Sequence, residues 1–425
     1  MSKGKMGFWS VLAVGIGGIV GGIFPTIGLA VQLTSKGAPI AFAIAGVVVL
    51  LTTYAYAKLS VAYKSRGGTV TFLNQAFGTG LVSGSFNMML WLSYVVMLSL
   101  YLSAFGSYGA SLFAESDQFF WKHLLINLVI VGISGLNLLS ADHIGKAQSW
   151  IVGFKLGILL LFIAMGIWSI DFQQLKLTEL PDIGPLFSGA MMIFLSYEGF
   201  ELIANTAEDV VNPIRTLPRA YYSAVVFVIL LYVLIAVVTV GTLPLGEIVA
   251  ARDYALVKVA KPFMGQFGVV LLTIAALLST TSAINATFYG SARLSYVIAE
   301  SKNQPNVLAK KVINLQHVGL FMTSGLTLVF ANLFDLSSIS TMGSAGFLSI
   351  FAAVNLANVR LYQQTQSYRW ISLVGAFSCI AAIIVLWERT AQTDPQTLWV
   401  MIVMIGLAFG LDFLYCLFTN SKVRL

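Results

Sequence analysis

Long apolar stretches dominate this sequence and restrict its possible folds more than any other feature. A helix needs about 20 mostly apolar residues to cross a bilayer. The first stretch is too long for a signal peptide, so we interpret it as a retained span. Twelve such stretches, called spans 1 to 12 here, lie at 8–34, 38–62, 84–113, 121–140, 147–169, 184–208, 219–243, 266–299, 317–334, 338–360, 370–388 and 397–419.

The composition supports a membrane protein and excludes several other classes. Of the 425 residues, 58% are hydrophobic and only 10% are charged, whereas soluble chains carry about 25% charged residues. A soluble multidomain enzyme, a nucleic-acid binder and a disordered protein are therefore excluded. The two cysteines and three histidines show no ligand spacing, so we expect no metal and no cofactor.

The positions of lysine and arginine predict the topology. With the N-terminus inside, 16 of the 24 basic residues fall in cytoplasmic segments and 7 in external ones. Cytoplasmic loops of membrane proteins are rich in basic residues, so we predict that both termini are cytoplasmic. The net charge of +7 then reflects topology, and no nucleic-acid partner is implied. We predict one multi-pass domain, 1–425, in the plasma or inner cell membrane.

Span 1 is unusually rich in glycine at its centre, between Val14 and Pro25. The pairs Gly17/Gly21 and Gly18/Gly22 fit close helix packing. The same residues also fit an unwound segment, because glycine costs about 1 kcal/mol per helical position relative to alanine. Irregular backbone at membrane depth is tolerated only beside a cavity or inside protein.

Span 6 favours unwinding in both spans. Residues Glu198, Gly199 and Glu201 place two carboxylates and a glycine at mid-membrane, where charge is costly and usually functional. Spans 1 and 6 would be the first members of two five-helix halves and would cross the bilayer in opposite directions. Interruptions at corresponding positions of two halves indicate the binding site of an inverted-repeat transporter.

Three stretches resemble the amino acid–polyamine–organocation permeases. They are the glycine-rich run that ends at Gly22-Ile23-Phe24, the run 196–220 and the run 278–294. The resemblance implies an all-α LeuT-type fold of twelve spans. Spans 1–5 and 6–10 would form inverted repeats within residues 6–362, with two additional helices in 370–419. This chain departs from the family pattern at Val20, where a glycine is usual, and at Leu195, where an aromatic residue is frequent.

The resemblance also implies a substrate site at the two interruptions. The backbone N–H groups of Val20, Gly21 and Gly22 would bind the carboxylate of an amino acid. The ammonium group would bind carbonyl oxygens, and Ser196 and Tyr197 would shape the pocket. The implied carbonyl acceptors belong to Gly18, Leu195 and Glu198.

The two carboxylates of span 6 have separate interpretations. Glu201 matches a carboxylate of the family pattern and is a candidate structural or proton-responsive group. The side chain of Glu198 has two possible surroundings. It could face the pocket and favour a cationic substrate, or it could lie in a polar packing niche.

Lys155 is the one basic residue assigned to neither side of the membrane, because it lies well inside span 5. It lies too deep in span 5 for easy snorkelling to the cytoplasmic face, although that alternative remains. In related proton-coupled permeases, a lysine here occupies the place of a bound sodium ion. The resemblance implies contacts from its ammonium group to the carbonyls of Ile16 and Ile19 and to the hydroxyl of Ser279 or Thr280.

Lys155 is therefore the predicted ion-coupling residue. Burial disfavours an ammonium charge, so Lys155 is a candidate to release its proton during transport. The hydroxyl groups of span 8 have a second interpretation, as interhelical hydrogen bonds or bonds back to their own helix.

Several other polar residues are expected to have structural roles. Glu208 and Asp209 are expected to form ion pairs with Arg215 and Arg219. The pair Asp142-His143 in a loop is expected to be structural, and Asp412 in span 12 has no predicted partner. Three tyrosines of span 3 recur every seven residues and are expected to form one packing face: Tyr94, Tyr101 and Tyr108.

The sequence thus predicts a secondary transporter of amino acids that works by alternating access with proton symport. Its expected partners are an amino acid as small-molecule substrate, protons and the lipid bilayer. An amino acid or polyamine exchanger and a non-transporting amino-acid sensor are the alternatives. A channel would need repeated filter loops. We expect no enzyme activity, because no catalytic constellation converges.

Overall fold

The computed structural model describes residues 6–139, 144–175, 181–301 and 312–418. Within these ranges the chain forms helices and turns, with one isolated β-bridge between Met6 and Val210 and no longer strand. Asp142 and His143 lie outside the described residues, and the side chain of Asp412 is not described either. The predictions made for these three residues therefore stay predictions.

The helices of the described ranges agree with the predicted spans in position. All twelve predicted stretches fall on helices, because long apolar runs in lipid satisfy their backbone only as helices. In chain order the helices are α1 (Phe8–Ile19), α2 (Ile23–Thr34), α3 (Ala38–Ala62), α4 (Thr69–Phe77), α5 (Leu81–Ala110), α6 (Gln118–Leu139), α7 (Ile144–Gly166), α8 (Ile183–Met192), α9 (Pro213–Thr242), α10 (Leu245–Ala251), α11 (Ala255–Ser301), α12 (Val312–Leu333), α13 (Leu336–Arg360), α14 (Tyr362–Thr365), α15 (Arg369–Thr393) and α16 (Pro395–Phe418).

Eight helical stretches of the described chain are long and apolar enough to cross a membrane. The first of them, Phe8–Ala62, contains two of the predicted spans. A ninth is obtained if Ile183–Met192 and Phe194–Asp209, which are bent by 48°, count as one span. The fold is therefore that of an all-helical integral membrane protein. The arrangement of twelve spans in inverted repeats stays a prediction.

Helices α5 and α13 form the centre of the bundle. The most apolar windows of both are 89% buried, against 17% for Glu115–Gly135 at the periphery. Around them α3 packs on α9, α5 on α11 and α6 on α12, while α1 packs on the segment Phe200–Asp209. These are pairs of corresponding elements in the two predicted halves, as a pseudo-two-fold axis would place them.

A short backbone pairing joins the beginning of the described chain to the end of the second broken helix. The N–H of Met6 donates to the carbonyl oxygen of Asp209 at 3.0 Å, and the N–H of Val211 donates to that of Met6 at 2.9 Å. The residues just before α1 and just after Phe200–Asp209 are thus held together at one edge of the bundle.

Candidate functional site

The first predicted interruption is a tight turn and not an unwound segment. Residues Val20–Gly22 form one 3-10 turn between α1 and α2, and the N–H of Val20 still donates to the carbonyl oxygen of Ile16. The α-helix of span 1 is therefore interrupted as predicted, by a compact 3-10 turn and not by extended backbone. The glycines of this turn also serve close packing, which was the alternative interpretation.

The second predicted interruption is a real break in the helix. After the 3-10 turn Phe194–Tyr197, Glu198 is extended (φ −57°, ψ 149°) and Gly199 has a left-handed conformation (φ 111°). Glycine adopts a positive φ without the penalty that a side chain imposes. The chain then continues as the 3-10 segment Phe200–Asp209.

The two interruptions contact each other through their backbones. A Cβ atom on Gly18 would lie 2.8 Å from the carbonyl oxygen of Gly199, and one on Gly22 would overlap the carbonyl oxygen of Ser196. Only glycine permits so close an approach at these two positions. The glycine-rich run of span 1 therefore allows close contact with the broken helix of span 6.

Tyr232 on α9 joins both interruptions. Its hydroxyl group donates to the carbonyl oxygen of Ile19 at 2.6 Å and lies 3.1 Å from that of Ser196. The side chain is completely buried. Both carbonyls lie where the helical hydrogen-bond pattern changes, so this hydroxyl supplies a donor that the backbone lacks.

We expect the substitution Tyr232→Phe to destabilise the protein by about 1–2 kcal/mol, because it removes the donor shared by two buried carbonyls. The apparent free energy of unfolding can be measured by titrating the purified protein with a denaturing detergent. Tyr222→Phe on the exposed side of the same helix is the matched control. Equal stability of the two variants would contradict the bridging role.

A cavity of about 560 Å³ leads to the interruptions from one face of the protein. Its deep end is lined by Gly18, Tyr101 and Glu198, and its opposite end by Arg66. Tyr101 and Glu198 are 1% and 2% exposed, whereas the side chain of Arg66 is 52% exposed. The cavity follows α1 from Ser10 to Gly18, about 12 Å, and opens on the face predicted to be cytoplasmic.

The other predicted substrate residues are buried beside the cavity without lining it. The hydroxyl of Tyr197 donates to the carbonyl oxygen of Phe42 at 2.8 Å, and Gly21 packs beside Tyr101 and Ser279. The hydroxyl of Ser196 has no hydrogen-bond partner among the described residues.

Two predicted backbone groups are already engaged in this conformation. The N–H of Val20 is bonded within its helix. The carbonyl oxygen of Leu195 accepts the N–H of Glu198 at 3.1 Å, and the N–H of Leu195 donates to the hydroxyl of Ser344 at 3.0 Å. A role for Val20 and Leu195 in substrate binding would therefore require another conformation.

Glu201 stabilises the second interruption. One of its carboxyl oxygens accepts the N–H of Gly199 at 2.8 Å, and the other accepts the hydroxyl of Tyr94 at 3.3 Å. Its carboxyl group also contacts that of Glu198. Tyr94 and Tyr101 also line the cavity beside these carboxyl groups. From the sequence, only helix packing is expected for these two tyrosines.

Lys155 reaches the first interruption from α7. It is 1% exposed, and its ammonium group donates to the carbonyl oxygen of Gly17 at 2.9 Å. This contact excludes snorkelling to the cytoplasmic face in this conformation. Among the described residues no carboxylate lies within ion-pair distance of it.

The groups predicted to contact Lys155 form no hydrogen bond with it among the described residues. The carbonyl oxygen of Ile19 accepts the hydroxyl of Tyr232, and that of Ile16 accepts the N–H of Val20. The hydroxyl of Thr280 bonds back to its own helix, and that of Ser279 is buried without a partner in the described part of the chain. The acceptor is Gly17, one or two residues from the predicted positions.

Arg66 organises the mouth of the cavity. Its guanidinium group lies 2.9 Å from a carboxylate oxygen of Asp209 and 3.6 Å from one of Glu208. These exposed ion pairs raise the pKa of Arg66 above its ordinary value, chiefly through the hydrogen bond to Asp209. The expected partners of both acids, Arg215 and Arg219, were wrong, because loop geometry and not sequence distance decides which charges meet.

Sequence reasoning missed Gly17, Tyr232 and Arg66 as parts of this site. A tyrosine within a long apolar run, such as Tyr232, is a detectable signal, because a phenol hydroxyl in lipid needs an acceptor. Arg66 lies in a short loop where charge is ordinary, so its sequence context carries no such signal.

Comparisons with known proteins find relatives over most of the chain. A family model described as amino acid permease matches residues 6–409. An uncharacterised protein of Methanocaldococcus jannaschii is 31% identical over 386 residues, 88% of each chain. The inner membrane transport protein YbaT of Escherichia coli is 30% identical over 399 residues, 93% of each chain. The branched-chain amino acid permease BcaP of Bacillus subtilis is 23% identical, covering 89% of this chain and 84% of its own.

Proposed function

Because the chain belongs to the amino acid permease family, we propose that it carries amino acids across the cell membrane by alternating access, coupled to protons. The observation that carries this proposal is the cavity that ends at two interrupted helices. A zwitterion needs hydrogen-bond donors for its carboxylate and acceptors for its ammonium group, and interrupted helices supply both at membrane depth.

Unpaired polar atoms beside the interruptions support a polar ligand. The hydroxyls of Ser196 and Ser279 and one carboxyl oxygen of Glu198 are buried without partners among the described residues. Buried polar groups in native proteins are nearly always hydrogen-bonded. An amino acid between the two interruptions would give these groups partners.

Contacts at the end of span 1 that is predicted to be external support the proposed alternating access. The hydroxyl of Tyr108 donates to the carbonyl oxygen of Phe24 at 3.0 Å, and α10 packs on α2. A carboxylate oxygen of Asp253 accepts the hydroxyl of Ser107 at 2.8 Å and the ammonium group of Lys122 at 2.9 Å. The cavity is open on the opposite face, so the proposed cycle passes through an inward-open state.

Lys155 is the proposed coupling group. Its ammonium group binds the carbonyl oxygen of Gly17 in the last turn of α1, next to the first interruption, and no described carboxylate neutralises it. In the proposed mechanism, loss of the proton from Lys155 weakens its hydrogen bond to Gly17, which joins α7 to α1. Proton movement would thereby be linked to the conformation of the site.

Uptake by purified protein in proteoliposomes tests this function. We expect radiolabelled amino acids to accumulate when the outside is acidic, and to accumulate much less with a sodium gradient or with none. Strong counterflow without any stimulation by a pH gradient would instead identify an exchanger. Binding without uptake or counterflow would overturn the proposed function in favour of a sensor.

A further inference from the structure

Glu198 differs from every other acidic residue at the site. It is 2% exposed and lines the deep end of the cavity, and one of its carboxyl oxygens has no hydrogen-bond partner among the described residues. Its neighbour Glu201 has both oxygens engaged, by Gly199 and by Tyr94. Glu201 therefore holds the backbone, whereas Glu198 presents an acceptor to the cavity.

No described basic side chain neutralises Glu198. Among the described residues, the one basic side chain on the cavity wall is Arg66, at the far end and engaged with Asp209 and Glu208. The ammonium group of Lys155 is directed to Gly17. The carboxyl group of Glu198 contacts that of Glu201, which is itself acidic. Two acidic groups in contact at membrane depth without a cation are costly, and such groups mark ion or substrate sites.

The surrounding walls suit a cation. The rings of Tyr94 and Tyr101 line the same end of the cavity as Glu198. Aromatic rings attract ammonium and guanidinium groups, and desolvation strengthens this attraction. A charged hydrogen bond from such a group would satisfy the unpaired oxygen.

We propose that Glu198 binds a second cationic group of the substrate, so that the protein prefers basic amino acids to neutral ones. This inference rests on the proposed function and adds a substrate class to it. The α-amino and α-carboxyl groups occupy the interruptions, and the side-chain ammonium or guanidinium group meets Glu198. Glu198 is then the specificity determinant of this site.

The test compares ligands that differ only in that charge. Lysine with norleucine, and arginine with citrulline, compete for uptake by wild-type protein and by Glu198→Gln in proteoliposomes. We expect the wild type to prefer the basic member of each pair by about 10- to 100-fold, as for a hydrogen bond to a charged group. Glu198→Gln loses this preference and keeps the binding of norleucine and citrulline.

Controls separate a loss of charge from a loss of fold. Glu388→Gln changes the same charge at an exposed position of α15 and is expected to keep the wild-type preference. Glu198→Asp keeps the carboxylate and is expected to keep the direction of the preference. The competition between the members of each ligand pair is also measured on the wild-type protein alone. The inference can therefore be tested even if Glu198→Gln folds poorly.

The outcomes distinguish the two proposals. Equal transport of basic and neutral ligands by the wild type, or the same preference in Glu198→Gln, overturns the inference and leaves the proposed function intact. A failure to carry or bind any amino acid overturns both.

Discussion

Gly22→Ala is expected to reduce uptake to near background and to lower stability by about 3 kcal/mol, the upper end for overpacked interiors. A Cβ atom at this position would overlap the carbonyl oxygen of Ser196 and lie 2.7 Å from its Cα atom. These are backbone atoms, so no side-chain rotation relieves the overlap. The two interruptions would have to move apart, and the bridge from Tyr232 would be lost with them.

A glycine in open surroundings gives the matched control. An added Cβ at Gly157 in α7 meets nothing within 4 Å. Gly157→Ala is therefore expected to keep uptake and to stabilise its helix by about 1 kcal/mol. Thermal denaturation in detergent and amino-acid uptake measure both variants. Wild-type uptake by Gly22→Ala would show that the two interruptions need not touch.

Lys155→Ala is expected to abolish the stimulation of uptake by a pH gradient. The substitution removes the buried ammonium group and leaves the carbonyl of Gly17 without its donor. Counterflow, which needs binding and conformational exchange but no net proton movement, is expected to continue at a reduced rate. Radiolabelled uptake with and without an imposed pH gradient gives the comparison.

An exposed lysine controls for the change of charge in this experiment. Lys258→Ala on α11 is expected to respond to the gradient as the wild type does. If Lys155→Ala responds to the gradient as strongly as the wild type, Lys155 is not the coupling group. If counterflow disappears together with stimulation, its contact with Gly17 serves the fold or binding and not coupling alone.

Much of the fold could be predicted because lipid allows few choices. Apolar length placed the helices, and the eleventh predicted stretch, 370–388, falls within Arg369–Thr393. The eighth, 266–299, begins directly after Gly265, whose φ of 61° separates it from a preceding helical segment that begins at Ala255. That preceding segment is polar and gives little hydropathy signal, so composition alone does not reveal it.

The site could be predicted only in part. Glu198 and Gly199 marked the second break, because charge and glycine are both unfavourable inside a lipid-embedded helix. The role of Gly22 could not be deduced, since the same glycines suit unwinding and close packing equally. The choice depends on what faces them, and Ser196 lies 174 positions away along the chain.

The pairing of Met6 with Asp209 and Val211 gives the cavity one stitched edge and one free edge. Two backbone hydrogen bonds hold the stitched edge together, so we expect any widening of the cavity mouth to separate other parts of its rim first. A tag fused close to Met6 would therefore disturb the mouth of the cavity itself.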